Sequence, residues 1–121
     1  MKINAFDFDG VVSIGITPGA KDVIITGRTI EESEHVFSIL RERNINCAVY
    51  FNPISLAKRG NHSLQSRECS GQHKSTILSL LKANGVYVQN FFEDDDVQAE
   101  FIRRDHPNTI VVMVISNLVQ K

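Results

Sequence analysis

Tryptophan is missing from this chain, cysteine occurs twice and proline three times in 121 residues. Cys47 and Cys69 form no CxxC pair, so a disulfide framework is not expected, and a zinc site would need several histidines. A reduced compartment suits them better. No apolar run approaches the roughly 18 residues of a membrane span. Met1-Lys2 leads straight into a strand-like stretch without the longer apolar segment of a signal peptide, so the expected location is cytoplasmic. Neither sign of charge dominates: 13 basic against 14 acidic residues give a net charge of -1, which offers no global case for nucleic acid or an anionic membrane. Internal repeats and low-complexity tracts are also missing. What remains is an ordinary globular composition, 42% apolar, with length for one core and not for two.

Strand-like and helix-like segments alternate along the chain. Strands are expected at Ile3–Phe8, Asp22–Ile25, Cys47–Phe51, Val86–Phe92 and Thr109–Ser116. The box Thr29-x-x-Glu32 opens a first helix carrying Val36, Phe37, Ile39 and Leu40, with Asn44 near its end. A second helix is expected from about Gly71 to Asn84, striped by Ile77, Leu78, Leu80 and Leu81 and stopped at Asn84-Gly85. A third spans Val97–Arg104 before Pro107. Residues Asn52 to Ser70 are polar, somewhat basic and without periodicity, and read as a loop. Such alternation predicts an α/β fold, a Rossmann-like three-layer sandwich with a mostly parallel sheet and helices on both faces. Ligands then belong at the carboxyl ends of the strands.

The polar residues gather at that edge. The apolar run Ile3-Asn4-Ala5-Phe6 ends in Asp7-Phe8-Asp9, and Gly10 bends the chain sharply enough to keep both acids at the mouth of the sheet. Two carboxylates there repel unless a cation lies between them, and a hard divalent ion with oxygen ligands is the natural choice. The second strand leads into Thr26-Gly27-Arg28 and the fourth into Glu93-Asp94-Asp95-Asp96, while Lys74 stands early in the second helix. Each set also has a plainer reading. Thr26-Gly27 can be a strand end and turn, Lys74 a solvated helix residue competing with His73 and Lys82, and the acidic run a helix cap. Within that run Asp96 is the expected cap. Arg28 carries no assigned role, and His35 and His106 are expected at the surface.

Asp7-Phe8-Asp9-Gly10-Val11-Val12, Ile24-Ile25-Thr26-Gly27-Arg28, Lys74 and Phe91-Phe92-Glu93-Asp94-Asp95, in that order, make the chain resemble the haloacid dehalogenase-like superfamily of phosphotransferases. The resemblance implies a Mg²⁺-dependent phosphohydrolase acting through an aspartyl-phosphate. In it Asp7 would be the nucleophile and Asp9 the general acid and base. Thr26 would hydrogen-bond the transferring phosphoryl group and Lys74 would offset its charge. Asp94 and Asp95 would hold the metal with Asp7 and the backbone carbonyl of Asp9. Val11 departs from the threonine common after this glycine. Only 16 residues separate Asp9 from Thr26, and 52–70 is short, so no cap domain is expected.

An uncapped site suits a nucleotide, a nucleic-acid or protein end, or another phosphate ester. A small ligand would call for a homo-oligomer that covers the site. Gly27 and, in the 52–70 segment, Asn52 and Arg59 are further candidate substrate contacts, beside Ser55, Lys58, His62 and Arg67. A second functional class stays open, a non-catalytic protein of this fold that sequesters a nucleotide-like or phosphorylated ligand as an oligomer.

Overall fold

A computed structural model describes residues 1–59 and 63–115. Five strands, β1 (Lys2–Phe6), β2 (Val23–Thr29), β3 (Ala48–Asn52), β4 (Tyr87–Glu93) and β5 (Ile110–Met113), form one all-parallel sheet in the order β3-β2-β1-β4-β5. Four helices accompany them: α1 (Ser33–Glu42), α2 (Leu56–Arg59), α3 (Leu64–Ala83) and α4 (Asp96–Asp105).

Alternation along the strands decides the layers. Ile3 and Ala5 of β1, Val23 and Ile25 of β2, and Val88 and Phe91 of β4 pack with Leu78 of α3 and Ile102 of α4. Phe6, Phe8 and Ile24 point the other way and pack with Val36 and Leu40 of α1. A parallel sheet buried on both faces between helices is the three-layer α/β sandwich that the alternating pattern predicts. The chain leaves β1 toward β2 and β3 on one side, then returns to place β4 on the other. That reversal opens a crevice at the carboxyl end of β1.

The expected loop at Asn52–Ser70 is largely helical. Leu56–Arg59 is one turn of helix, and α3 begins at Leu64 rather than near Gly71. Ser63 caps α3 by accepting from the Ser66 amide at 3.1 Å. The first half of α3 buries Ser66, Ser70, His73 and Lys74 instead of aliphatic residues, so no hydrophobic period announced it. His62 lies outside the described residues, as does Ser116, at which the last strand was expected to end. β2 also runs further than expected, carrying Thr26, Gly27 and Arg28 within it, with a register irregularity against β3 between Ile25 and Thr29. The box at Thr29 exists, the Thr29 amide donating to Glu32 Oε1 at 3.0 Å, but it opens a single 3₁₀ turn ahead of α1.

Candidate functional site

The Asp7 amide donates to the Phe92 carbonyl at 2.9 Å, carrying the β1–β4 ladder one residue past β1. By alternation from Ala5, Asp7 faces α3. The chain then turns through Phe8–Val12, where Gly10 has φ +78. A β-carbon at Gly10 would stand 1.9 Å from Asp94 Oδ2, so a side chain there would strain the backbone and displace the Asp94 carboxylate. Arg43, just past α1, donates to the Val12 and Ser13 carbonyls and fastens this turn to the opposite layer.

Lys74 is fully buried in α3. Its Nζ donates to Asp7 Oδ1 at 3.0 Å, Glu93 Oε2 at 2.6 Å and Gln98 Oε1 at 2.6 Å. Three acceptors around one ammonium satisfy all its protons, which is what makes its burial tolerable. Burial by itself would lower the Lys74 pKa. The charges of Asp7 and Glu93 outweigh burial and hold it above the ordinary lysine value, so the group is a permanent cation. For Glu93, burial and the neighbouring Asp7 carboxylate raise the pKa well above the usual carboxylate range against the pull of Lys74. Two carboxylates thus compete for one ammonium, and Glu93 is the one pushed toward its neutral form.

Asp7, Glu93 and Asp94 each offer a carboxylate oxygen, all within 4.8 Å of one another. An all-oxygen acidic set at a strand end fits a hard divalent cation such as Mg²⁺, whose charge would favour the ionised form of Glu93. Glu93 replaces the expected Asp95 in this cluster. Asp95 instead caps α4, accepting from the Val97 amide at 3.1 Å, and its two oxygens also take Arg67 at 2.6 and 3.2 Å and Gln98 at 2.8 Å. Asp96, the expected cap, is the first residue of the helix. Arg67 explains the exchange, for its guanidinium pins Asp95 and holds that carboxyl below its usual pKa despite partial burial.

Asp9 stands at the opening of the crevice, its side chain 26% exposed. Arg28 grips both oxygens, Nε to Oδ2 at 2.9 Å and Nη2 to Oδ1 at 2.8 Å, and reaches Glu32 at 3.0 Å. Thr26 is fully buried and its Oγ1 accepts from the Arg28 amide at 3.0 Å, which leaves the hydroxyl proton to donate elsewhere. A cavity of about 310 Å³ opens beside Asp7 and Asp9, with Gly27, Arg28, Arg59 and Arg67 also in its wall; Thr26 lies behind it.

Asn52 does not reach this cavity. It is buried at the end of β3, accepting from the Ile54 amide at 3.0 Å, and lines a different, mostly apolar groove along α3. Lys82 is far along α3 beside Tyr87 and His106. His73 is buried and bonds the Tyr50 carbonyl through Nε2 at 3.3 Å; burial, with Lys74 and Arg59 nearby, lowers its pKa to about 4. His106 is half-buried at the end of α4, 2.9 Å from the Ser75 carbonyl, rather than fully at the surface. Sequence reasoning missed Glu93 and Gln98 as partners of Lys74. For Glu93 a signal existed: Phe91 is core on the α3 side, and two residues on Glu93 must face the same way.

Fold and site together define a Rossmann-like α/β protein with a buried lysine–carboxylate centre at the strand ends. No protein-family model, curated protein or solved structure matches the chain. Among the described residues no helix is long and apolar enough to cross a membrane.

Proposed function

We propose that this protein is a Mg²⁺-dependent phosphohydrolase of the haloacid dehalogenase-like type, acting on a phosphate ester through an aspartyl-phosphate at Asp7. The observation that carries the reading is the fixed ion pair of Asp7 with the fully buried Lys74, with Glu93 and Asp94 beside it and Asp7 itself in the wall of an open cavity. A nucleophilic carboxylate must approach an anionic phosphate, and a permanent ammonium against it offsets the repulsion. Asp7, Asp94 and Glu93 would hold the Mg²⁺, which would supply charge neutralisation on the phosphoryl oxygens.

The chain's own groups divide the remaining work. The Asp7 carboxylate displaces the alcohol from phosphorus, and the Thr26 hydroxyl donates to a phosphoryl oxygen. Asp9 delivers a proton to the departing oxygen and later takes one from the water that hydrolyses the acyl phosphate. For either transfer the Arg28 fork must open, and the partly exposed position of Asp9 permits it. Cys47 and Cys69 are both free thiols, in keeping with a cytoplasmic setting. A nucleotide or a nucleic-acid or protein end fits the uncovered cavity.

The Arg28 fork also favours a second reading. A carboxylate with both oxygens gripped by one guanidinium is held in place rather than free to meet a leaving group, which suits a protein that binds a phosphorylated ligand, as an oligomer closing over the cavity, and releases it unchanged. A panel of phosphate esters with Mg²⁺, run on the wild type and Asp7→Asn, separates the two. The hydrolase reading expects turnover by the wild type alone. Stoichiometric binding with the ester recovered intact would establish the second.

A further inference from the structure

Among the described residues, every cation at the site but one is matched to acid. Lys74 sits between Asp7 and Glu93, Arg28 against Asp9 and Glu32, and Arg67 against Asp95. Arg59 is different. It is 6% exposed, Nη2 donates to the Gly27 carbonyl at 2.6 Å, and Nη1 donates to Ser70 Oγ at 3.0 Å. Its Nε is buried without a partner, and among the described residues no carboxylate pairs with this guanidinium. The surroundings are shaped to hold it: a β-carbon at Gly27 would lie 2.2 Å from Ser70 Oγ, so β2 and α3 come this close only with glycine there. An uncompensated buried charge works against folding, and its natural counterpart is an anion that arrives in the adjoining cavity.

We infer that Arg59 seats a second anionic group of the substrate, so that the site takes phosphate monoesters carrying a further phosphate beside the one removed. This rests on the phosphohydrolase reading for the place of the first phosphate. The pairing of Arg59 with an anion does not depend on turnover. A guanidinium whose fork is not closed by a carboxylate matches phosphate oxygens in shape and charge, which Arg28 and Arg67, already closed, do not. The chemistry is shared by a small bisphosphate and by a phosphorylated oligonucleotide end, whose next phosphodiester supplies the second charge.

Calorimetric titration of the wild type in chelator, where no ester is consumed, tests it with adenosine 5′-monophosphate, adenosine 3′,5′-bisphosphate and a 5′-phosphorylated dinucleotide. The doubly charged ligands should bind at least about tenfold tighter than the monophosphate, the size of one charge-assisted bond. Arg59→Gln should reduce that preference to roughly twofold or less, while Lys82→Gln, far along α3 from the cavity, keeps it. Preference for the bisphosphate or for the dinucleotide identifies which source the pocket fits, and either supports the inference. Should Arg59→Gln not fold, Arg59→Lys, which keeps charge and loses the fork, should lose most of the preference. Affinities within roughly twofold in the wild type, or a preference that survives Arg59→Gln, overturn the inference. Absence of turnover with Mg²⁺ would instead contradict the hydrolase reading and leave the Arg59 preference standing.

Discussion

Asp7 and Asp9 are the same residue two positions apart, yet the fold gives them opposite surroundings. Asp7 is 3% exposed and tied to a buried ammonium that also serves Glu93, whereas Asp9 is partly open to water and gripped by Arg28 at the cavity mouth. Gly10 and the turn around it make the difference, because the strand that aims Asp7 at α3 ends before Asp9. One carboxylate is thus fixed and the other exchangeable. A nucleophile needs a constant position and charge, while a proton carrier needs access and a partner it can release.

The sharpest way to break the contrast is to remove the cation on the buried side. Lys74→Met leaves Asp7 and Glu93 buried without compensation and should destabilise the fold by about 3–5 kcal/mol in denaturant titration. Activity should fall on the order of 10²–10³-fold wherever the variant stays folded. Lys82→Met, on the same helix and away from the cavity, should change neither.

Acid should weaken the buried side next. His73 has a folded pKa near 4, below its unfolded value of 6.5, because burial disfavours its charged form. The unfolded chain binds the proton first, so stability is full above about pH 6.5 and declines as pH falls toward 4, by roughly 3 kcal/mol in all. His73→Gln should flatten that window in melting curves taken across it.

Mg²⁺ should act on the acidic cluster of Asp7, Glu93 and Asp94 by binding the folded state, stabilising it by ~2.7 kcal/mol at a concentration about 100 times its Kd. Asp94→Asn should diminish the shift in Tm, whereas Asp96→Asn should not. On the open side, Arg28→Ala breaks a partly exposed pair and should cost only about 0–1 kcal/mol of stability. Its larger consequence should be on the rate of turnover, since Asp9 is then released from its fork.

Much of this was legible in the residues. The alternation of apolar strands with a capped helix at Thr29 and the Asn84-Gly85 stop announced the layers, and Asp7 stands at the end of the first strand as expected, while Lys74 meets it from the middle of α3. The start of α3 was not legible, because its inner face there is Ser66, Ser70, His73 and Lys74, residues buried to serve the site and the neighbouring β3 rather than an aliphatic core. The acidic run after Phe92 hid its register for a related reason. Four adjacent acids look alike in sequence; alternation from Phe91 turns Glu93 inward to Lys74, whereas Arg67, from a segment read as loop, pins Asp95 at the cap of α4. Arg59 was visible as a basic residue, but its burial without an acid partner is a property of the packing alone.

The central claim is that Asp7 forms a covalent bond to phosphorus. Incubation of the wild type and Asp7→Asn with Mg²⁺ and a ³²P-labelled phosphate ester, quenched in acid and followed by peptide mapping, tests it directly. The account predicts acid-stable, base-labile label on the peptide containing Asp7 in the wild type and none in Asp7→Asn. Phosphate release by the wild type that continues unchanged in Asp7→Asn, or label carried by another residue, would contradict it.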